Sequence, residues 1–233
     1  NRSSDLSVYL LQYFTIRRFG ENKMAITVKS IPLGPVSANT YILTDVATNE
    51  CAVIDAGDFN EALKKELDGK NVKYILLTHG HFDHILGVYD LKAYTNAEVM
   101  IHKLDSECLS NPKRSLAEWG GCEQKCVSAD RLLQDGDEIM LGETKIKVMH
   151  TPGHTPGGVC YIIESERTIF TGDTLFSLTA GRTDLVGGDD FMLISSLKKI
   201  AGLDGDYKVY PGHNRSTTLD YERTHNRYLR RLV

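Results

Sequence analysis

A cluster of three histidines and one aspartate, His79-Gly80-His81-Phe82-Asp83-His84, has the residue types of a metal site. Imidazole and carboxylate groups together suit zinc, iron or manganese. Crowded imidazoles without a counter-charge are hard to bury, because each polar ring needs a partner, and a divalent ion supplies one. The cluster therefore predicts a metal site whose remaining ligands come from elsewhere in the chain.

The elements around this cluster indicate how it is held. It follows the apolar run Tyr74-Ile75-Leu76-Leu77, which is typical of a buried strand. The residues from His84 onward read as a helix, and Asp83 suits its first turn. The site is therefore predicted on a loop that joins a strand to a helix.

Three further polar side chains, His154, Asp173 and His213, also stand at the ends of predicted strands. A glycine comes directly before each of them and leaves room for the chain to turn close to an ion. A single His or Asp at a strand end is usually structural or simply exposed. Their joint occurrence with the histidine cluster favours one shared site.

The remaining pattern indicates how these strand ends could meet. Both halves of the chain run short strands into a helix. Two sheets packed face to face, with helices outside, would bury the apolar runs and collect the strand ends along one edge. Strands are predicted at 25–30, 39–44, 50–55, 74–78, 98–102, 138–140, 145–150, 159–163, 168–171 and 207–210, and further helices at 60–67, 191–201 and 221–232. Residues 103–130 read as an irregular excursion, either a lid or decoration.

Length and composition limit the classes of protein. The 233 residues suffice for one domain with a large core or two small ones. A net charge of -4 without a basic cluster argues against a nucleic-acid partner, and no apolar run is long enough to span a membrane. Residues 1–23 are expected to be an extension outside a domain of residues 24–233, with Met24 as the natural start.

The five cysteines indicate a reducing compartment. They are odd in number and form no C-x-x-C pair, so free thiols and a cytoplasmic location are expected. A bridge between Cys122 and Cys126 is the alternative.

The ordered set of motifs resembles the metallo-β-lactamase superfamily from Met24 to the C-terminus. That resemblance implies an α/β (α+β) fold, a four-layer αβ/βα sandwich of two mixed sheets flanked by helices, with the site at one sheet edge. It also implies two divalent ions, with zinc expected and iron or manganese as alternatives. The implied ligands are His79, His81 and His154 for one ion, Asp83, His84 and His213 for the other, and Asp173 as the bridge. His150 is interpreted as a structural residue or a partner of a ligand, and His102 and His225 match no ligand position.

The segments Gly172–Phe176, Gly181–Asp184 and Pro211–His213 resemble those of the glyoxalase II-like (hydroxyacylglutathione hydrolase-like) hydrolases. This likeness implies hydrolysis of a small acyl-thiol substrate such as S-lactoylglutathione, with Asp83 orienting the attacking hydroxide. Arg182 could anchor a substrate carboxylate with its forked donors. A pair with Asp184 or Asp189 that shapes the loop is the other interpretation. The basic glutathione-binding residues of the longer members have no evident counterpart after His213, which leaves the thiol carrier open.

Three alternatives remain. Persulfide dioxygenases share the motifs and use one iron, held here by His79, His154 and Asp173. Another ester or lactone hydrolase of the superfamily is the second. The third is a degenerate fold used only for binding, against which the complete ligand set argues. The secreted β-lactamase, flavodiiron and tRNA-processing branches match less well, since the first two commonly carry different residues at Asp173 and His81.

Overall fold

The computed structural model describes residues 25–232. The extension predicted at residues 1–23 and the expected start at Met24 lie outside the described residues.

Two six-stranded mixed sheets form the centre of the fold. The first contains β1 (Ile26–Leu33), β2 (Ala38–Asp45), β3 (Glu50–Ile54), β4 (Asn71–Leu76), β5 (Glu98–His102) and β6 (Arg131–Leu133), in that order. The second contains β7 (Glu138–Leu141), β8 (Thr144–His150), β9 (Val159–Ile163), β10 (Thr168–Gly172), β13 (Lys208–Pro211) and β14 (Thr217–Thr218), with β7 and β14 at its edges. A separate hairpin joins β11 (Leu175–Phe176) to β12 (Thr179–Ala180).

The inner faces of the two sheets pack on each other because their strands alternate. In β8, Ile146 and Val148 are buried, while Lys145 and Lys147, which alternate with them, are exposed. Fully burying one such aliphatic side chain stabilises the fold by about 1.5–3 kcal/mol. The core between the sheets includes Leu43, Ile54, Leu76, Ile146, Val148, Tyr161 and Phe170.

Within residues 25–232, five α-helices lie outside the two sheets: α1 (Glu61–Leu67), α2 (Phe82–Ile85), α3 (Val88–Thr95), α4 (Asp190–Ala201) and α5 (Leu219–His225). Leu63 of α1 and Leu91 of α3 share a cluster with the first sheet. Leu197 of α4 and Leu219 of α5 share one with the second sheet. Asn60 caps α1 by accepting hydrogen bonds from two backbone N–H groups. The predicted four-layer arrangement is confirmed.

Three local predictions differ from the structure. The helix expected from His84 onward is split into α2 and α3 at Gly87, where an added Cβ would lie 2.4 Å from the backbone of Asp58. The terminal helix expected over 221–232 ends at His225, because Asn226 takes an extended conformation (φ -73, ψ 123). The strands β6, β11, β12 and β14 have only two or three residues, too few to show a period.

Residues 103–130 are irregular as predicted, with one short 3-10 helix at Ser106–Leu109. All five cysteines are free, and Cys122 forms no bridge to Cys126. Among residues 25–232, no helix has the length and apolar character needed to cross a membrane.

Parallel pairing brings several strand ends to one edge. β10 pairs in parallel with β13, and Gly172 lies opposite Pro211. The residues that follow them, Asp173 and His213, therefore emerge side by side. β3 pairs in parallel with β4 in the same way. Asp55, which follows β3, therefore lies beside the histidine loop, the segment His79–His84 that follows β4.

Candidate metal centre

The structure brings together all seven side chains that the sequence predicts as metal ligands. They come from four segments, which follow β4, β8, β10 and β13; in the first of these, Asp83 and His84 lie in α2. Nδ1 of His81 lies 2.9 Å from Nε2 of His154, and Nε2 of His84 lies 3.3 Å from Nε2 of His213. His84 and His213 are 129 positions apart in the chain, so residues distant in sequence form one largely buried cluster.

Two groups of three ligand atoms can be distinguished within it. One group is His79, His81 and His154, whose ligand atoms all lie within 4.8 Å of one another. The other is Asp83, His84 and His213, by the same measure. In the second group Oδ2 of Asp83 lies 3.1 Å from Nε2 of His213. These two groups match the two ligand sets that the resemblance implies.

The carboxylate of Asp173 faces both groups. Its Oδ2 lies 3.5 Å from Nε2 of His154 in the first group and 3.5 Å from Nε2 of His213 in the second. Its Oδ1 lies 3.4 Å from Nε2 of His84. Asp173 is therefore placed as a shared ligand would be. The individual ligand roles remain predictions.

The unsatisfied polar atoms of the cluster fit a bound cation. His79 Nε2 and Asp173 Oδ1 are buried and have no hydrogen-bond partner among the described residues. A buried polar atom left in that state costs about 1–3 kcal/mol. Imidazole nitrogens and carboxylate oxygens are the ligands that zinc and related ions prefer. The residues present thus suit a divalent metal.

The charge states of the cluster support the same interpretation. Burial and the neighbouring imidazole of His154 lower the pKa of His81 to about 3, and burial together with His84 lowers that of His79 well below its usual range. Both rings are therefore neutral and can offer a lone pair. Burial acts to raise the pKa of Asp83, but the adjacent His84 and His213 rings lower it overall, so this carboxylate is ionised.

His84 behaves differently from the other rings. Burial acts to lower its pKa, but the carboxylates of Asp83, Asp173 and Asp55 raise it to about 10. The same negative charges attract a cation, which would compete with the proton for Nε2.

Asp55 orients His84, a role that the sequence did not indicate. Its Oδ2 lies 2.9 Å from Nδ1 of His84, and its Oδ1 accepts a hydrogen bond of 2.8 Å from the backbone N–H of Thr78. Asp55 lies within 4.8 Å of ligand atoms of His79 and His84. Its oxygens are already engaged on the side of His84 away from Nε2, so we assign it as a partner of the ligand. From the sequence alone Asp55 is interpreted only as a turn residue. Its place beside His84 follows from the parallel pairing of β3 with β4, which the sequence does not show.

Thr78 orients His79 in a similar way. Its hydroxyl donates to Oδ2 of Asp55 at 2.7 Å and lies 3.1 Å from Nδ1 of His79. Because the hydroxyl proton is used on Asp55, the hydroxyl oxygen accepts from Nδ1–H of His79. This tautomer leaves the lone pair of Nε2 directed into the cluster.

Asp105 joins the two loops that carry the first ligand group. Its carboxylate accepts hydrogen bonds from Gly80 N at 3.0 Å, Thr155 Oγ1 at 2.7 Å and Gly157 N at 2.6 Å. Gly80 lies between His79 and His81, while Thr155 follows His154. Burial raises the pKa of Asp105, and these three donors act against that rise. The sequence placed Asp105 only in the irregular excursion.

Arg182 contributes to the cluster through its backbone. Its carbonyl oxygen accepts a hydrogen bond of 2.7 Å from Nδ1 of His154. Its guanidinium forms two hydrogen bonds with Asp184, at 2.6 and 2.7 Å, and is exposed. Of the two interpretations of Arg182, this geometry favours the loop-shaping pair. Asp189 instead caps α4 by accepting from Met192 N.

The other histidines lie outside the centre, as the sequence indicates. His102 stacks on His150 with ring centroids 4.2 Å apart, and His225 stacks on Tyr221 at 4.3 Å.

Comparison with known proteins assigns the family. Residues 33–213 match the Metallo-beta-lactamase superfamily, and the chain belongs to it. It is 31% identical over 209 residues to the hydroxyacylglutathione hydrolase GloC of Haemophilus influenzae, covering 88% of this chain and 98% of that protein. Among solved structures, the B3 metallo-beta-lactamase BLEG-1 is 36% identical with a TM-score of 0.82, covering 87% of this chain and 99% of that one. TTHA1623, solved in a di-iron-bound form, is 34% identical with a TM-score of 0.78, covering 87% and 100%.

Membership defines the class of protein. Metallohydrolases with a dinuclear metal centre are typical of this superfamily, and the His and Asp clusters of this chain suit such a centre. The predicted recognition is confirmed at this level.

Proposed function

We propose that this protein is a cytoplasmic dinuclear metallohydrolase that cleaves thioesters of small acyl-thiols such as S-lactoylglutathione, with zinc as the expected metal. The observation that carries the proposal is the pair of three-residue groups, both of which the carboxylate of Asp173 faces. Similarity to a hydroxyacylglutathione hydrolase over nearly the whole of both chains supports the thioester substrate. The proposal includes no nucleic-acid or membrane partner.

The metal ions and the residues of the centre would have separate roles in the reaction. When bound, two ions supply Lewis acidity and lower the pKa of water toward neutrality. Asp83 is ionised and 3.1 Å from Nε2 of His213, where it can orient the attacking water as well as bind metal. Because its pKa is lowered, Asp83 is a poor final proton acceptor. Water adds to the acyl carbon and the carbon–sulfur bond breaks. One proton of the water leaves with the thiol, and the acyl group is released as a carboxylic acid that ionises in solution.

Metal analysis combined with a thioester assay tests the proposal. We expect about two ions per chain and hydrolysis of S-lactoylglutathione that is lost with a chelator and restored with zinc. Protein loaded with two ions that leaves both S-lactoylglutathione and S-lactoyl-N-acetylcysteamine intact would contradict it.

A one-iron oxidoreductase is the second candidate; the similar protein TTHA1623 binds iron, although as a pair of ions. In this alternative His79, His154 and Asp173 would hold one iron, and dioxygen would be the oxidant of the persulfide sulfur. Persulfide-dependent oxygen uptake by iron-loaded protein, without thioester hydrolysis, would support it. A β-lactam and a lactone belong in the same assays, the first because of the similarity to BLEG-1.

A further inference from the structure

A small cavity opens beside the predicted ligand His81, and its lining combines one cation with apolar walls. We infer that the guanidinium of Arg114 receives a carboxylate of the substrate in this cavity. The inference rests on the proposed function, since it concerns the substrate of the same site. The lining of the cavity includes His81, Leu104, Cys108, Arg114, Pro156 and Val186.

The backbone beside Arg114 is fixed to the histidine loop. The carbonyl of the next residue, Ser115, accepts a hydrogen bond of 2.8 Å from the N–H of Phe82. The ring of Phe82 packs in a small apolar cluster with Leu116 and Ala117. This part of the 103–130 excursion is therefore attached to the centre, and it presents Arg114 at a defined place beside it.

Most hydrogen-bond donors of the Arg114 guanidinium have no partner among the described residues. Its Nε lies 3.4 Å from Oε2 of Glu107, and its side chain makes no hydrogen bond to any residue between 25 and 232. Glu107 itself is shared, since its Oε1 accepts from Asn111 Nδ2 at 3.1 Å. By contrast, the guanidinium of Arg182 is occupied by both oxygens of Asp184. Apart from the Nε contact with Glu107, the forked donors of Arg114 are unoccupied within residues 25–232, and such donors suit a planar carboxylate.

The volume and the lining of the cavity limit which substrate group it can hold. Its volume is about 40 Å³, while a water molecule occupies about 30 Å³ of liquid, so there is room for one small group. Leu104 and Val186 offer apolar surface, and both are at least half exposed. Asp105 also lies in the lining, but its carboxylate charge is stabilised by three hydrogen-bond donors from the ligand loops. The cavity thus suits a carboxylate on a short apolar stem.

The carboxylate could belong to the acyl group or to the thiol carrier, and three thioesters distinguish these sources. S-succinyl-N-acetylcysteamine carries a charge on the acyl side only. S-lactoylglutathione carries carboxylates on the thiol side only, and S-lactoyl-N-acetylcysteamine carries none. For Arg114→Gln we expect kcat/KM to fall roughly tenfold, mainly through KM, for one charged substrate and to stay unchanged for the neutral one.

Two further variants test whether the effect is specific to Arg114. Arg131→Gln removes a partly exposed arginine on β6, whose Nη2 lies 3.9 Å from Oδ2 of Asp137, and should leave all three substrates unchanged. Glu107→Gln removes the only carboxylate paired with Arg114 among the described residues and should improve kcat/KM for the charged substrate. An equal effect of Arg114→Gln on all three substrates, or a charge-selective loss in Arg182→Gln instead, would overturn the inference.

A binding measurement separates this inference from the proposed function. The thioethers S-carboxymethyl-N-acetylcysteamine, S-methylglutathione and S-ethyl-N-acetylcysteamine cannot be hydrolysed, and calorimetry reports their binding directly. Selective loss of one charged thioether in Arg114→Gln supports the subsite even if no thioester is cleaved. Equal binding of all three thioethers by wild type and variant would reject it while leaving thioester hydrolysis intact.

Discussion

Oδ2 of Asp55 lies 2.9 Å from Nδ1 of His84, and both side chains are almost completely buried. This contact fixes the ring so that Nε2 faces Asp83, Asp173 and His213. Removing such a partner of a ligand typically lowers metal affinity by roughly 10–100-fold. We expect Asp55→Asn to weaken metal binding by that amount, measured by competition with a chelator.

Asp68→Asn provides the control for Asp55, because Asp68 is an exposed residue at the end of α1. Unchanged affinity in a folded Asp55→Asn variant would show that the contact does not orient a ligand.

Removal of single ligands should affect the two ions unequally. His213 belongs to one group only, so His213→Ala should reduce the bound metal from two ions to one. Asp173 faces both groups, so Asp173→Ala should weaken both. Elemental analysis of dialysed protein measures the ratio of metal to chain. A wild-type ratio near one that His213→Ala leaves unchanged would favour the one-iron alternative.

Asp105 should stabilise the fold as well as the site. Asp105→Ala leaves the N–H groups of Gly80 and Gly157 buried without an acceptor, at a cost of about 1–3 kcal/mol each. We expect a loss of roughly 2–5 kcal/mol in the free energy of unfolding, by urea titration of metal-free protein.

Thr155→Val is the graded control for Asp105, because it removes only one of the three donors. It should cost about 1 kcal/mol. Similar losses in the two variants would mean that Asp105 does not join the loops.

His102 should make stability depend on pH. Burial, followed by the charge of His150, lowers the pKa of His102 to about 4 in the folded protein, compared with about 6.5 in an unfolded chain. The unfolded state therefore binds more protons below pH 6.5, and the stabilisation from neutral His102 is lost as the pH falls toward 4. The slope is about 1.4 kcal/mol per pH unit at most.

The measurement compares wild type with His102→Phe in urea at pH 7, 6 and 5, without metal. The difference between their free energies of unfolding should shrink by roughly 1–2 kcal/mol over that range, since the phenylalanine ring cannot be protonated. A constant difference would show that His102 keeps its ordinary pKa.

Much of the fold was predictable because strong local patterns report burial. The alternation in β8 and the apolar run before His79 each mark a strand without any tertiary information. The very short strands and the division of one helix at Gly87 were not predictable. The first carry too few residues for a period, and the second depends on the backbone of Asp58.

The sequence by itself determined the chemistry of the centre. Metal-ligand residue types at strand ends are visible residue by residue, and their order in the chain indicates the family. Tertiary structure alone decided how those ligands are oriented. Asp105 is 25 residues from Gly80 and 52 from Gly157, and the carbonyl of Arg182 is 28 residues from His154. A hydrogen bond of this kind depends on where two distant loops meet, and no local pattern records that meeting.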